Sequence, residues 1–185
     1  MRISYIGDGQ SVHNHFMIEW FQRRGHEVLF LTDTPGEGPD CETGVVAPRR
    51  GGGPFRHVGA VIRTRRWIWR WKPDIVHALR IPFEGMLAQV TPKEIPFLVS
   101  IWGNDLTLHA RTSPLMGTGT RRALARADGL LADARRDIRL AKEWGLREEA
   151  PTLIVPGSGG LDFGKIKEAI KTIELPFNLP AHRPL

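Results

Sequence analysis

Five segments of this 185-residue chain put glycine, short polar side chains or cations directly after an apolar run. The first is Gly7-Asp8-Gly9-Gln10-Ser11, ahead of a helical stretch. Glycines there let backbone N–H groups approach an anion, and a helix start adds favourable partial charge. Val12 replaces the third glycine of a dinucleotide fingerprint, and no lysine makes this a Walker loop. A phosphate cradle and a plain tight turn are its two readings. The second segment carries His77 and Arg80. His77 reads as a satisfied strand-end histidine or as a site residue, and Arg80, just beyond the strand, suits an anion or a sugar. The third, Trp102-Gly103-Asn104-Asp105, offers a ring to the apolar face of a sugar and polar groups to its hydroxyls. Asp105 reads as a base, a hydroxyl acceptor or a helix cap. In the fourth, Arg135 and Arg136 stand at a helix start where the dipole disfavours cations. They invite an anionic ligand, or form a solvated face neutralised by Asp133 and Asp137. The fifth is the backbone-rich loop Gly157-Ser158-Gly159-Gly160.

Alternating elements must hold these segments in place. Apolar runs at Ile3–Ile6, Glu27–Thr32, Gly44–Ala47, Asp74–Ala78, Pro96–Ile101, Gly129–Ala132 and Thr152–Val155 read as strands. Helical period appears at about Val12–Arg24, Phe55–Trp71, Glu84–Val90, Pro114–Ala127 and Ala134–Trp144. Continuous apolar strands separated by helices predict a doubly wound α/β domain with a parallel sheet of about seven strands. In such a sheet ligands bind outside the carboxyl ends of the strands, near the point where strand order reverses. Gly25 and Gly145 stand where helix ends want a left-handed residue, and Asp133 is placed to cap the helix from Ala134. Pro35–Pro54, with six glycines and four prolines, reads as a surface excursion around one short strand. After one amphipathic stretch, Phe163–Ile173, prolines 176, 180 and 184 preclude a helix. The expected organisation is a domain over 1–165 and a linker over 166–185 leading to a further domain.

The length suits one domain burying about 70% of its unfolded surface. Apolar residues at 41% and charged ones at 25% are those of a globular chain, not a disordered or collagen-like one. The lone cysteine, Cys41, excludes an internal disulfide framework and a cysteine-based zinc site, and points to a reducing compartment. No apolar run approaches the roughly 20 residues of a membrane span. Met1-Arg2-Ile3-Ser4-Tyr5-Ile6 runs straight into a strand without a signal peptide, so a cytoplasmic protein is expected. The net charge is +6, yet Arg49–Lys72 alone holds eight basic residues and no acidic one, leaving the rest at −2. An anionic partner should meet the chain there. At helical spacing Val58, Val61, Ile62, Ile68 and Trp69 share a core-like face. Arg63, Arg66 and Arg70 line another, with Trp67 and Trp71 beside them. Tryptophan beside arginine suits an anionic lipid surface. Core tryptophans and polyanion binding are the other readings, and no nucleic-acid motif accompanies the patch.

Taken in order, several stretches resemble the N-terminal domain of GT-B glycosyltransferases of the retaining family 4, or group 1, type. They are Arg2–Gly9, Ser11-Val12-His13, Arg24-Gly25-His26-Glu27-Val28, Lys72-Pro73-Asp74-Ile75-Val76-His77-Ala78, Ile101–Asp105, Ala127-Asp128-Gly129-Leu130 and Val155–Asp162. The resemblance covers residues 1 to about 165. It implies a three-layer αβα, Rossmann-like domain, the N-terminal half of a GT-B architecture. This half binds the acceptor, and a C-terminal domain binds the nucleotide-sugar. The resemblance implies that Gly7, Asp8, Gly9, Gln10 and Ser11 meet the donor diphosphate. It sets His13, His77, Arg80, Trp102, Gly103, Asn104 and Arg135 toward the acceptor. Many relatives have histidine at the position of Trp102, so no catalytic histidine carries over there, and Asp105 and His109 are the candidates for its role. The implied donor is a UDP- or GDP-sugar, used without a metal. The implied acceptor is a carbohydrate or a lipid-linked or cell-envelope glycan, with an anionic membrane surface as a further partner and nucleic acid as none. A piece lacking the second lobe should be inactive, because positioning supplies much of the rate in transfer reactions. A stand-alone Rossmann-type ligand-binding or polyanion-binding module is the competing reading.

Overall fold

The computed structural model describes residues 1–34, 36, 39–46, 55–155, 164 and 166–168. Seven strands run β1 (Arg2–Ile6), β2 (Glu27–Thr32), β3 (Glu42–Val45), β4 (Ile75–Ala78), β5 (Phe97–Ile101), β6 (Gly129–Ala132) and β7 (Thr152–Ile154). Between them lie α1 (Val12–Gln22), α2 (Phe55–Trp71), α3 (Met86–Ala88), α4 (Pro114–Arg126) and α5 (Arg135–Glu143). The strands form one sheet in the order β3-β2-β1-β4-β5-β6-β7, with every pairing parallel. Parallel neighbours require crossovers, and a helix is assigned in each connection except that from β2 to β3.

Side-chain alternation sorts the core onto two faces. Ile3, Tyr5, Val28 and Phe30 pack with Ile18 of α1. Ile6, Leu29, Leu31, Val76, Ala78, Phe97, Val99 and Ile101 pack on the other face, with Ile68 and Trp71 of α2 and Ala123 and Leu124 of α4. Burying each large side chain of this kind contributes about 1.5–3 kcal/mol. The chain leaves β1 toward β2 and β3, then crosses back to build β4 through β7. The loops after β1 and β4 therefore flank a crevice at the carboxyl edge of the sheet.

The helix ends follow the glycine signals. Gly25 (φ +79°) and Gly145 (φ +114°) take left-handed conformations. Just after them, the N–H groups of His26 and Leu146 return to the carbonyls of Phe21 and Ala141.

Four expectations need correction. β3 begins at Glu42 rather than Gly44, because this edge strand buries only Gly44 and so needs no apolar run. The cap of α5 is Ala134, one residue beyond Asp133. No helix spans Glu84–Val90. A wide five-residue turn, Ile81–Gly85, stands there, with Phe83 at φ +67°, and only the single turn α3 follows. Pro82 lacks the N–H a helix would use, and Gly85 N–H bonds instead to the carbonyl of Arg80 at 2.9 Å.

The fourth correction concerns the phase of α2. Its buried positions are Ala60, Thr64, Ile68 and Trp71. Val58, Ile62 and Trp69, which read as core, face outward at 57%, 53% and 75% exposure. Trp71, which read as surface, is buried. Its Nε1 donates to Glu42 at 2.9 Å, and the Arg2 guanidinium lies 4.3 Å from its ring. Trp67 is half-buried over β3, where a Cβ on Gly44 would come within 2.6 Å of its ring. The glycine leaves room for that indole, and this fixes the rotation of the helix.

The Gly157–Gly160 loop, most of Phe163–Ile173 and the 175–185 tail lie outside the described residues.

Candidate active site

The Gly7–Ser11 loop turns tightly between β1 and α1, and four of its five N–H groups bond within the protein. Gly7 N–H bonds to the carbonyl of Leu31 at 3.0 Å, and Ser11 N–H to that of Asp8 at 3.2 Å. Gly9 N–H donates to the hydroxyls of Thr32 and Thr34 at 2.9 and 3.0 Å. Gln10 N–H donates to the Asp8 carboxylate, which also accepts from the Thr34 hydroxyl. A Cβ on Gly9 would sit 2.2 Å from the carbonyl of Thr34, so only glycine fits there. With these four N–H groups engaged, the loop is held as a tight turn. The first turn of α1 follows it, with no acidic residue and no side-chain cap from Ser11. First-turn N–H groups lack helical partners and favour an anion.

Across the crevice, Asp105 organises the residues at the ends of β4 and β5. It is completely buried. One carboxylate oxygen accepts from Arg80 Nη2 at 2.8 Å and Nε at 3.2 Å, and the other accepts from the N–H of Trp102 at 3.1 Å. The Trp102 ring is met by His13 edge-on at 5.8 Å and by the Arg80 guanidinium at 5.7 Å. Residues from α1 and the ends of β4 and β5, far apart in sequence, therefore meet in one cluster. With both oxygens engaged, Asp105 holds Arg80 and the Trp102 turn in place.

A cavity of about 290 Å³ opens beside this pair, lined by Asp8, Asp33, Thr34, Arg80, Pro82, Phe83, Glu84 and His109. Burial pushes the Glu84 carboxyl up to about 8, against the opposing pull of Arg80. The cavity thus offers a carboxylic acid that stays protonated at neutral pH, next to a half-buried histidine. Glu84 was not a site candidate from sequence, where it read as the start of a helix. The Pro82-Phe83-Glu84-Gly85 string, with proline and glycine three apart at a strand end, was the available signal for a turn.

His77 does not reach the crevice. It is 5% exposed, bonded through Nε2 to the Ser100 hydroxyl at 2.8 Å and in ring contact with Tyr5. Burial lowers it to about 4, so it is neutral. Gly103, Asn104 and Arg135 are exposed at the same edge. Arg136, weighed only alongside Arg135, ties the two loops together by donating to the Gly103 carbonyl at 2.9 Å and to Asp137 at 2.8 Å. The Gly157–Gly160 loop falls outside the described residues. Among the described residues no group of three His, Cys, Asp or Glu side chains could hold a metal ion.

A family model, the glycosyl transferase 4-like domain, matches residues 8–157, from the first crevice loop to just beyond β7. The chain belongs to this family. A search of the curated proteins finds no significant match. The fold of this glycosyl transferase 4-like domain is that of GT-B proteins. It is similar to Anabaena Alr3699/HepE in complex with UDP and glucose, at TM-score 0.62 and 12% identity over 92% of this chain and 50% of that one. It is also similar to the lipopolysaccharide outer core galactosyltransferase WaaB, at TM-score 0.56 and 15% identity over 83% of this chain and 45% of that one. A UDP-N-acetylglucosamine 2-epimerase from Rickettsia bellii matches at TM-score 0.61 and 14% identity, over 82% and 44%. The chain spans about half the length of these structures. In the glycosyl transferase 4-like domain, the crevice between β1 and β4 is the place where strand order reverses, and the cluster around Asp105 sits on its rim.

Proposed function

We propose that this domain is the acceptor-side lobe of a retaining glycosyltransferase that moves a sugar from a UDP- or GDP-sugar to a carbohydrate or lipid-linked glycan in the cytoplasm. Residues 1–165 form the lobe, and 166–185 lead toward a donor-binding lobe. The observation that carries the reading is the convergence of His13, Arg80, Trp102 and His109 at the sheet's reversal point, with Asp105 buried beneath as a brace. An aromatic face beside a fixed cation and polar tips suits a sugar ring and its hydroxyls. The span of about half the length of HepE, a protein solved with UDP-glucose, supports a second lobe.

In this account the two lobes close on the donor. The first turn of α1 faces the diphosphate, whose charge grows as the glycosidic bond breaks, and meets it with N–H groups and the positive end of the helix. The Gly7–Ser11 turn, bonded to the end of β2 and to Thr34, fixes the direction of that helix. Arg80 and the Trp102 ring orient the acceptor so that its hydroxyl meets the anomeric carbon on the side the diphosphate leaves, as retention requires. His109 and the protonated Glu84 line the same cavity and supply hydrogen bonds to hydroxyls. The reading calls for no metal.

The test offers labelled UDP- and GDP-sugars with glycan acceptors to the protein carrying its C-terminal lobe. The expected result is nucleoside diphosphate release and a glycoside with the donor's anomeric configuration, and no turnover by the 185-residue chain alone. Epimerised nucleotide-sugar without transfer, or an inverted product, would overturn the reading.

A further inference from the structure

We infer that the outward face of α2 is a docking surface for an anionic lipid bilayer. The helix turns Ala60, Thr64, Ile68 and Trp71 to the core, so the opposite side faces solvent. Its centre is not polar. Val58, Ile62 and Trp69, spaced four and seven apart, stack along it at 57%, 53% and 75% exposure. Apolar residues aligned at the middle of a solvent-facing helix, rather than scattered, mark an interaction surface. Cations flank this stripe, with Arg65 on one side and Arg63, Arg66 and Arg70 on the other, and Lys72 follows the last turn. None of Arg65, Arg66, Arg70 and Lys72 has an ion-pair partner among the described residues.

An apolar ridge bearing an exposed tryptophan and flanked by arginines complements acyl chains below a layer of phosphates. A polyanion in water would use the cations and leave Val58 and Ile62 idle. A concavity of about 460 Å³ lined by Arg63, Arg66, Trp67, Trp69 and Arg70 leaves room for a phosphate-bearing headgroup. No helix among the described residues is long and apolar enough to cross a membrane, so the contact is one of lying on the surface. The start of α2 touches the crevice turn, where the rings of His57 and Phe83 stand 5.5 Å apart. Docking α2 therefore brings the crevice rim to the bilayer, which is where a lipid-carried acceptor would present its sugar.

The experiment is flotation of this chain with vesicles of about one part phosphatidylglycerol to two parts phosphatidylcholine, and with pure phosphatidylcholine, with tryptophan fluorescence read on the bound fraction. The expected result is binding to the anionic vesicles, weakened by salt, with a blue shift that vanishes in Trp69→Phe. The Arg66→Gln/Arg70→Gln double variant should bind roughly 20-fold more weakly, since each basic residue near such a surface contributes about fivefold. Trp69→Ser/Ile62→Ser should lose flotation while keeping the wild-type thermal melt, because neither side chain belongs to the core. Equal binding to neutral vesicles, binding unchanged in these variants, or heparin binding with no flotation would each overturn the proposal. None of these outcomes involves sugar chemistry, so failure here would leave the transferase reading standing.

Discussion

At the residue scale the site depends on groups that are buried and fully bonded. Asp105 cannot be a free base while both of its oxygens hold Arg80 and the Trp102 turn. Removing one charge of such a pair leaves the other uncompensated, at a cost of about 3–5 kcal/mol. Arg80 is 30% exposed, so the lower end applies, and Asp105→Asn should lower unfolding stability by about 3 kcal/mol in urea titrations. Two buried titratable groups bound the pH range. Glu84 is held near 8 against an ordinary 4.5, so the folded chain keeps a proton that the unfolded chain has lost. Its contribution is complete below about 4.5 and is lost as pH rises through about 8. His77 is held near 4 against 6.5, so its contribution is complete above about 6.5 and is lost as pH falls through about 4. Denaturation midpoints measured across pH should therefore fall on both sides of a maximum. Glu84→Gln should flatten the alkaline limb only, and His77→Gln the acid limb only.

At the element scale, what was legible in the sequence was what hydrophobic period controls. The five inner strands were legible because buried parallel strands are continuous apolar runs, the edge strand β3 was placed two residues late, and both helix-ending glycines were legible because only a left-handed residue fits there. The rotation of α2 was not legible, because the helix carries two apolar stripes. The choice between them was made by Gly44 on β3, which opens a slot for Trp67. The turn at Ile81–Gly85 was missed because its apolar residues mimic a helix start, and the positive φ of Phe83 leaves no compositional trace. The tight turn at Gly7–Ser11 gives a direct test of local geometry. Gly9→Ala drives a methyl into the Thr34 carbonyl and should cost about 1–3 kcal/mol by chemical denaturation. Gly103→Ala, in open space, should cost little.

At the scale of the whole molecule, the sheet order sets what the crevice can do. Placing β1 beside β4 brings His13 and Arg80 together, and pairing β5 on β4 adds Trp102 and Asp105. Arg80, Trp102 and Asp105 were named from sequence because they lie just past apolar runs, and His13 because of the family resemblance. The pairing between them was not visible, since it spans 25 residues between Arg80 and Asp105 and depends on burial. His77 shows the converse, a polar residue at a strand end that faces the interior instead. On the proposed reading this lobe positions the acceptor while the donor rests mainly on a second lobe, so losing a cluster residue should weaken acceptor use and largely spare the donor. The most direct measurement is the acceptor and donor KM of Arg80→Ala in the two-lobed protein, with donor hydrolysis recorded separately. Losing a charge-assisted hydrogen bond should raise acceptor KM by about tenfold to a hundredfold, with donor KM and hydrolysis near wild type. An unchanged acceptor KM with a raised donor KM would place Arg80 on the nucleotide-sugar and contradict the acceptor-side account.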